Sequence, residues 1–406
     1  MTWDEYIKFL SPQGFARRYR MPLEAFKQLV DLIQPHFELD EAQAKRASMG
    51  EEPITCILAL HCTIRYLCGC SYLDACDVVK ISQASFYRIV WRVVDIIISL
   101  PELNFKLPFP PQQGIETLNY LKETFNNKSS NNLFSGCIGA VDGWLCQINK
   151  PSNYNEKNQR SFFSGHYKVY GLNVQAVSDG DSKFTYMSIN SPGGVNDVIA
   201  FRKTTLCTQF LPGIKELNNS SVENSYFLVG DNAYPMSDEL LVPFKKLEIV
   251  ENRRDSELKN TFNFYLSQRR IRVEMAFGLL VNKWRIFCRP LALNTDKCSR
   301  LIRAAMRLHN YCIDYRLSTG ATGSSFQFDQ DGGYIFDEVN PDNNYLQSDT
   351  REHSQAVGTA ISKRASILNA IQAGRITRPG HNIQRRNAER NHNEERERDV
   401  NEAQFY

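Results

Sequence analysis

Two short apolar runs, far apart in the chain, each end on an aspartate. The first is SGCIGAVDGW from Ser135 to Trp144, and the second is YFLVGDNAYP, which begins at Tyr226. Small or β-branched apolar residues bounded by glycine are typical of strands buried on both faces. Taken alone, Asp142 is more typical of a turn with Gly143. Because the second run ends in the same way, and strand ends in α/β sheets open into ligand-binding crevices, we predict that Asp142 and Asp231 lie at the exposed ends of two buried strands.

A third carboxylate, Glu274, lies inside the most regular helical pattern of the chain, Asn263 to Trp284. Ile271 and Phe277 are three residues away on either side, so we expect Glu274 to share their face and point inward. A surface position is the alternative, because a buried glutamate is costly without a partner. Three carboxylates brought together repel one another, and a pair of Mg²⁺ or Mn²⁺ ions is the usual relief. Such ions support in-line displacement at phosphorus.

Three arginines come just before this glutamate. Arg269, Arg270 and Arg272 lie about one helical turn before Glu274. A basic helix face beside a carboxylate cluster suits the phosphate backbone of DNA, although a solvated face is an equally good interpretation for each arginine. We predict DNA contacts for all three.

Composition excludes several classes of protein. With 406 residues, 42% of them hydrophobic, the chain is long enough for two or three globular domains. It contains no apolar run that could span a bilayer, and its first ten residues carry charges where a signal peptide would be apolar. We expect a soluble intracellular protein with no membrane partner. The eleven cysteines form no CxxC pair, which favours buried thiols in a reducing compartment over a zinc site.

Residues 1–125 predict an all-α domain. Ser71 and Ser82 are N-cap residues for two helices, Tyr72 to Val79 and Ala84 to Leu100, joined by a short turn. This pair, near 71–100, is a helix-turn-helix candidate, and an ordinary helical hairpin is the alternative. The second helix of such a motif enters the DNA major groove. The residues predicted to contact DNA there are Gln83, Ser85, Tyr87, Arg88 and Arg92.

The remaining patterns predict an α/β domain over 133–316 with a mixed sheet flanked by helices. Two strands, Leu172 to Val177 and Phe184 to Ile189, flank a turn and form a hairpin. A short helix at Asp238 to Phe244 and an edge strand at Leu247 to Val250 follow. The chain then continues with a helix at Cys298 to Arg316, an acidic linker over 317–350, and a C-terminal helix with a disordered polar tail over 351–406.

Other catalytic motifs are missing from the chain, which contains no GxxxxGK[ST], HExxH, GxSxG or GxGxxG. Six ordered segments instead resemble the PIF/Harbinger transposases of DDE superfamily 4 and the nucleases derived from them. The segments are GAVDGW, FFSGHYKVYGLNVQAVSD, SPGGVNDVIAFR, GDNAYP, FNFYLSQRRIRVEMAFGLLVNKWR and AAMRLHNYCI, and they cover about Gly136 to Ile313. The resemblance is specific because all six occur in family order.

The resemblance implies a ribonuclease H-like core in which Asp142, Asp231 and Glu274 match the family's metal-binding catalytic triad. It also implies a Mg²⁺- or Mn²⁺-dependent nuclease that cuts double-stranded DNA at transposon ends, acts in the nucleus or also in the cytoplasm, and forms a homo-oligomer. A Myb/SANT-like accessory protein is a further implied partner. Two positions depart from the family pattern. Trp144 replaces a small polar residue and would narrow the site, and Ala233 stands where glycine is common.

The leading hypothesis is therefore an active, metal-dependent DNA endonuclease or transposase. A domesticated, catalytically silent DNA-binding regulator is the main alternative, and a phosphohydrolase acting on small nucleotides is the third. These hypotheses differ in whether DNA is cleaved and whether its length matters.

Overall fold

The structure is a computed structural model, and it describes residues 3–37, 53–129, 131–152, 156, 158–220, 225–249, 255–320 and 361–378. Its α-helices are α1 Trp3–Lys8, α2 Pro12–Tyr19, α3 Leu23–Ile33, α4 Cys56–Leu67, α5 Tyr72–Val79, α6 Gln83–Ser99, α7 Ile115–Asn126, α8 Asp197–Arg202, α9 Leu211–Ser220, α10 Ser256–Lys283, α11 Thr295–Thr319 and α12 Ile361–Ala373. Its strands are β1 Cys137–Gln147, β2 Phe163–Ser164, β3 Val169–Ser178, β4 Phe184–Pro192, β5 Phe227–Val229 and β6 Leu240–Leu241.

The six strands form one mixed sheet in the order β2-β3-β1-β5-β6, with β4 also paired to β3. β1 is antiparallel to β3 and parallel to β5, and β5 is parallel to β6. Apolar cores cover both faces of the sheet, so the central strands read as nearly continuous apolar runs. The predicted α/β fold, a ribonuclease H-like mixed sheet flanked by helices, is confirmed.

β1 differs from its prediction in one respect that matters for the site. The strand does not end at Asp142 but continues to Gln147, because its antiparallel pairing with β3 extends to Gln147 opposite Gly171. The parallel pairing with β5 ends earlier, at Ala140 opposite Val229. Asp142 therefore lies just beyond the point where β1 loses its parallel neighbour, and a crevice opens there without a strand end.

The helices of the N-terminal part follow the predicted caps. Ser71 accepts a hydrogen bond from the backbone N–H of Leu73, and Ser82 accepts one from that of Ser85. Lys80 ends α5 in the left-handed region, with φ 56°, and turns the chain into α6. α6 packs on α4 and on α11, so it contacts both the helical part and the α/β part of the chain.

Two short elements beyond β5 were predicted wrongly. Asp238 to Phe244 contains the edge strand β6 rather than a helix, because the backbone of Leu228 and Gly230 hydrogen-bonds to this segment. In place of the predicted edge strand at 247–250 the structure has a 3₁₀ turn, Lys246–Glu248, in which the Glu248 carboxylate accepts from the backbone N–H of Lys245; Val250 lies outside the described residues. Short apolar runs do not distinguish these structures by periodicity.

α12 docks the C-terminal part of the chain onto α10. Arg364 lies with its guanidinium carbon 3.7 Å from the centre of the Phe244 ring and donates to the backbone oxygen of Val242. Tyr265 of α10 donates to the backbone oxygen of Thr377. The predicted linker from residue 321 onward, residues 351–360 and the predicted polar tail from residue 379 lie outside the described residues.

Among the helices of the described ranges, none combines the length and apolar character that crossing a bilayer requires. All eleven cysteines are free thiols, and most of them are buried or partly buried.

Candidate active site

The two aspartates occupy equivalent positions on neighbouring parallel strands. Ala140 of β1 pairs with Val229 of β5, and Asp142 and Asp231 each follow two residues later. Paired strands run about 4.8 Å apart, so the two side chains emerge side by side on one face. Each carboxylate is oriented by one backbone N–H. Gly143 donates to Asp142 over 2.8 Å, and Ala233 donates to Asp231 over 2.9 Å.

Glu274 is carried across the same face of the sheet by α10. Phe277, one turn after Glu274, packs against Trp144, two residues after Asp142, with ring centres 5.7 Å apart. Helix and strand therefore place Glu274 above Asp142. The glutamate does not point inward as predicted, because the buried face of α10 runs through Val273, Ala276, Phe277 and Leu280, and the side chain of Glu274 is 44% exposed.

Arg270 is the cation of this cluster. It lies one turn before Glu274 on α10, and its guanidinium Nη2 forms an ion pair with the Glu274 carboxylate. Burial lowers the pKa of Arg270, but the charges of Glu274, Asp142 and Asp231 together raise it above its ordinary value. The arginine is thus the common electrostatic neighbour of all three acids.

The carboxylates carry more negative charge than Arg270 neutralises. Burial raises the pKa of Asp142 to about 8; Asp231 and Glu274 add to the rise, while Arg270 and the Gly143 N–H oppose it. Burial also raises the pKa of Asp231 against the effect of Arg270. A cluster of three acids with one cation is suited to further positive charge.

The donor set fits a hard divalent cation, because Mg²⁺ and Mn²⁺ prefer carboxylate oxygen ligands. In the part of the chain that the structure describes, no three His, Cys, Asp or Glu side chains stand close enough to hold a metal ion. Asp142 and Asp231 are already adjacent, and Glu274 is turned to Arg270. The Glu274 carboxylate would have to release the Arg270 guanidinium to share an ion with the aspartates.

A polar network behind the aspartates was not predicted from the sequence. Asp197, at the start of α8, accepts from the side-chain amides of Asn173 over 2.9 Å and Gln175 over 3.0 Å. Gln175 in turn accepts from the hydroxyl of Tyr234 over 2.8 Å. A Cβ on Gly143 would lie 2.7 Å from the Gln175 amide and closer still to Asp197, so only glycine fits there. The network therefore supports β1 from the face opposite Asp142.

The sequence carried a signal for this network. Asn173 and Gln175 are two residues apart in an apolar strand, so they share one face, and two buried amides on one face need polar partners. Asn196, and not Asp197, caps α8 by accepting from the N–H of Ile199. Because Asn196 provides the cap, the Asp197 carboxylate can accept hydrogen bonds from Asn173 and Gln175 of β3. Its charge raises the pKa of Asp231, which connects the network to the triad.

The residues predicted to contact DNA on α6 fall into two groups. Gln83, Arg88 and Arg92 are exposed, and Arg92 also lies over the Phe37 ring at 4.6 Å. Ser85 and Tyr87 are partly buried. The hydroxyl of Ser85 accepts from that of Ser82, and the ring of Tyr87 packs against Tyr66 and Tyr72. The first group is accessible to a partner, and the second contributes to the packing of the helix pair.

The three arginines before Glu274 have separate environments. Arg269 is 3% exposed and donates to the hydroxyl of Ser129, so its predicted contact with DNA is contradicted by its burial. Arg270 belongs to the carboxylate cluster. Arg272 is partly buried beside Met275, and its predicted DNA contact stays a prediction. Arginines so close along a helix point in different directions, since each residue turns by about 100°.

The two departures from the family pattern take part in packing and hydrogen bonding at the site. The Trp144 ring packs edge-on against Phe287, with ring centres 5.4 Å apart, as well as against Phe277, so it fills the space between β1 and α10. Ala233 is not among the residues with positive φ, so glycine is not required, and its N–H still reaches Asp231.

Comparison with known proteins agrees with this geometry. The family model described as DDE superfamily endonuclease matches residues 141–310, which contain both aspartates and the glutamate. The chain is similar to "Protein ALP1-like" of Arabidopsis thaliana, with 22% identity over 77% of this chain and 75% of the relative. It is also similar to "Putative nuclease HARBI1" of Homo sapiens and Bos taurus, each with 23% identity over 77% of this chain and 78% of the relative. No solved structure matches the chain.

The family match and the relatives confirm the resemblance that the ordered motifs indicate. Residues 141–310 match the DDE superfamily endonuclease model, and the chain is similar to the Harbinger-derived proteins named above.

Proposed function

We propose that this protein is a divalent-metal-dependent DNA endonuclease of the Harbinger type, which cleaves phosphodiester bonds at transposon ends. The observation that carries the proposal is the register of the two parallel strands. Asp142 and Asp231 each lie two residues beyond the paired residues Ala140 and Val229, beneath the helix that carries Glu274. The endonuclease domain supports the reaction class.

Asp142, Asp231 and Glu274 would hold Mg²⁺ or Mn²⁺, and two ions suit their combined charge. When bound, such ions activate an attacking water or 3′-hydroxyl and stabilise the oxygen that leaves phosphorus. The chain itself supplies orientation. The N–H groups of Gly143 and Ala233 fix the two aspartates, and the network of Asp197, Asn173 and Gln175 holds the strands behind them.

Double-stranded DNA is the proposed substrate. The exposed side chains of Gln83, Arg88 and Arg92 support a DNA contact by α6, because they project from the helix that follows the Ser82 cap. Action in the nucleus, assembly as a homo-oligomer and a Myb/SANT-like accessory partner are part of the same proposal, and they rest on the family resemblance.

The test is nicking of supercoiled plasmid with Mg²⁺ or Mn²⁺. We expect Asp142→Asn and Glu274→Gln to reduce nicking by about 1000-fold or more, because each removes a metal ligand. Glu257→Gln is the matched control, since Glu257 is an exposed glutamate in the first turn of the same helix. Equal nicking by the wild type and all three variants would reject the assignment.

A catalytically silent DNA-binding regulator is the second candidate. The observation in its favour is that the Glu274 carboxylate is engaged by Arg270, while the described residues hold no group of three ligands close enough for a metal ion. This candidate predicts DNA binding by the wild type without nicking in either metal. Hydrolysis of mononucleotides without regard to DNA length would instead favour a small-molecule phosphohydrolase.

A further inference from the structure

Arg270 and Glu274 form a contact that bears on how the proposed metal site is filled. They are four residues apart on α10, so their side chains emerge one turn apart on the same side of the helix. The side chain of Arg270 is 26% exposed and that of Glu274 is 44% exposed. The pair is thus at the rim of the crevice, where either side chain can change rotamer.

The ion pair decides where Glu274 points. Asp142 and Asp231 are fixed by backbone N–H groups, whereas the Glu274 carboxylate pairs with the Arg270 side chain. Within the described residues, no three acidic side chains stand together as metal ligands. A glutamate has three rotatable side-chain bonds, so Glu274 can turn toward the aspartates, but only by giving up the guanidinium.

We propose that Arg270 is a positioning residue that holds Glu274 away from the two aspartates in the metal-free protein. The Arg270–Glu274 ion pair and the binding of a divalent cation by Glu274 exclude each other. The inference rests on the proposed function, because it requires Asp142, Asp231 and Glu274 to be metal ligands. Beyond that function, it states that the Arg270 guanidinium and the metal ion compete for the Glu274 carboxylate.

The competition between Arg270 and the metal should be measurable as a change in Mn²⁺ affinity. A partly exposed ion pair within a helix is weak, so it does not block metal binding but lowers the affinity. Removing Arg270 also removes one positive charge beside the site, which acts in the same direction. We therefore expect Arg270→Gln to bind Mn²⁺ about 3- to 10-fold more tightly than the wild type.

The measurement is Mn²⁺ binding to the full chain without DNA, followed by electron paramagnetic resonance of the free ion. Arg272→Gln is the matched control, because Arg272 lies two residues away on the same helix and its charge neighbour is Asp181 rather than the triad. It should bind Mn²⁺ as the wild type does. Affinity in Arg270→Gln that equals or falls below that of the wild type overturns the inference.

A double-mutant cycle separates the ion pair from a general effect of charge. If Arg270 acts mainly by holding Glu274, then Arg270→Gln raises the Mn²⁺ affinity of the Glu274→Gln variant, measured at Mn²⁺ concentrations where that variant still binds, much less than it raises the affinity of the wild type. If the double variant gains affinity as the single Arg270→Gln variant does, Arg270 acts only through its charge and the inference is wrong.

Failure of the proposed function gives a different result. In that case Asp142→Asn and Glu274→Gln bind Mn²⁺ as the wild type does, or no variant binds it. If these two variants lose binding while Arg270→Gln matches the wild type, the metal site stands and only the role of Arg270 is refuted.

Discussion

Two clusters of acidic side chains, each with a buried aspartate, differ within the described residues in how their charge is compensated. The first is the triad cluster, Asp142, Asp231 and Glu274 with Arg270. The second is the turn cluster, at the β3–β4 turn, which consists of Asp179, Asp181, Asp314, Lys128 and Lys183. In both clusters burial raises the pKa of an aspartate, to about 8 for Asp142 and to about 6 for Asp179.

The turn cluster is closed by the protein itself. Asp179 accepts from the N–H groups of Asp181 and Lys183, each over 2.9 Å, and the Lys183 ammonium lies 3.8 Å from Asp179 and 2.9 Å from Asp314. α11 completes it, because Asn310 bonds both backbone groups of Phe184. Lys128 and Lys183 form ion pairs with the three aspartates, and Arg272 is a further cation near Asp181.

In the triad cluster the protein supplies fewer charge partners and hydrogen-bond donors. One arginine serves three acids, and each aspartate receives a single backbone N–H. A raised pKa therefore does not by itself identify a functional site, since burial raises the pKa of an aspartate in both clusters. The distinguishing feature is the charge that the protein leaves uncompensated beside a crevice.

The largest expected contrast concerns the two aspartates themselves. Asp142→Asn should reduce nicking by about 1000-fold or more, because it removes a metal ligand, and leave the free energy of unfolding equal or higher, because burial already disfavours the charged form of Asp142. Asp179→Asn should retain nicking per folded molecule but lower the stability, since Lys183 loses a partner. Plasmid nicking and urea unfolding of the same samples measure both. Loss of stability in Asp142→Asn equal to that in Asp179→Asn would remove the distinction.

The next contrast concerns the two cations. Lys183→Met should lower the free energy of unfolding by about 3 kcal/mol, because it leaves a buried aspartate uncompensated. The side chain of Lys183 is 8% exposed, so little water can replace it. Arg270→Gln should lower the stability much less, because water reaches the rim of the crevice. Urea titration at pH 7 compares the two variants, and a larger loss for Arg270→Gln would contradict the view that the turn cluster is structural.

A third expectation uses pH. His309 of α11 donates from Nε2 to the backbone oxygen of Ser182 over 2.9 Å, and burial lowers its pKa to about 3. The unfolded chain takes up this proton below about pH 6.5 and the folded chain does not. Stability is therefore lost as the pH falls from about 6.5 toward 3, by about 1.4 kcal/mol per pH unit for this group.

His309→Gln keeps a donor for Ser182 but cannot titrate, so unfolding measured between pH 7.5 and 5 should depend less on pH than in the wild type. His61 contributes in the same direction, with its pKa lowered to about 4 by burial, and it remains in both proteins. His36→Gln is the control, because His36 is exposed. An unchanged pH dependence in His309→Gln would show that this histidine does not couple the turn cluster to acid unfolding.

The smallest effect is expected at the rim of the turn cluster. Lys128 lies 3.3 Å from Asp181, but its side chain is 45% exposed. Lys128→Met should change the free energy of unfolding by less than about 0.5 kcal/mol, since exposed ion pairs contribute little. Urea titration beside Lys183→Met makes the comparison direct. An effect near that of Lys183→Met would mean that burial does not determine how much these ion pairs contribute to the free energy of unfolding.

Neighbouring residues alone were enough to predict the mixed sheet and the strands and helix that carry the three acids. Buried strands without alternation, serine caps and the long helix around Glu274 are local patterns, so each could be predicted from neighbouring residues. Predictions from such patterns fail for β6 and for the turn at Lys246–Glu248, because elements of two or three residues are too short to show a periodicity. Because the six ordered motifs fall within one predicted domain, they could be predicted to lie close together in the fold.

The orientation of these side chains and the compensation of their charges are set by contacts between distant parts of the fold. Asp142 lies in mid-strand because two neighbours of β1 end at different levels. Glu274 faces the rim because the buried stripe of α10 passes beside it, and Arg269 and Arg270 diverge because α10 contacts different parts of the fold. Asp197 meets Asn173 and Gln175 across more than twenty residues. Such contacts depend on the packing of distant elements, whose relative positions no local pattern of residues encodes.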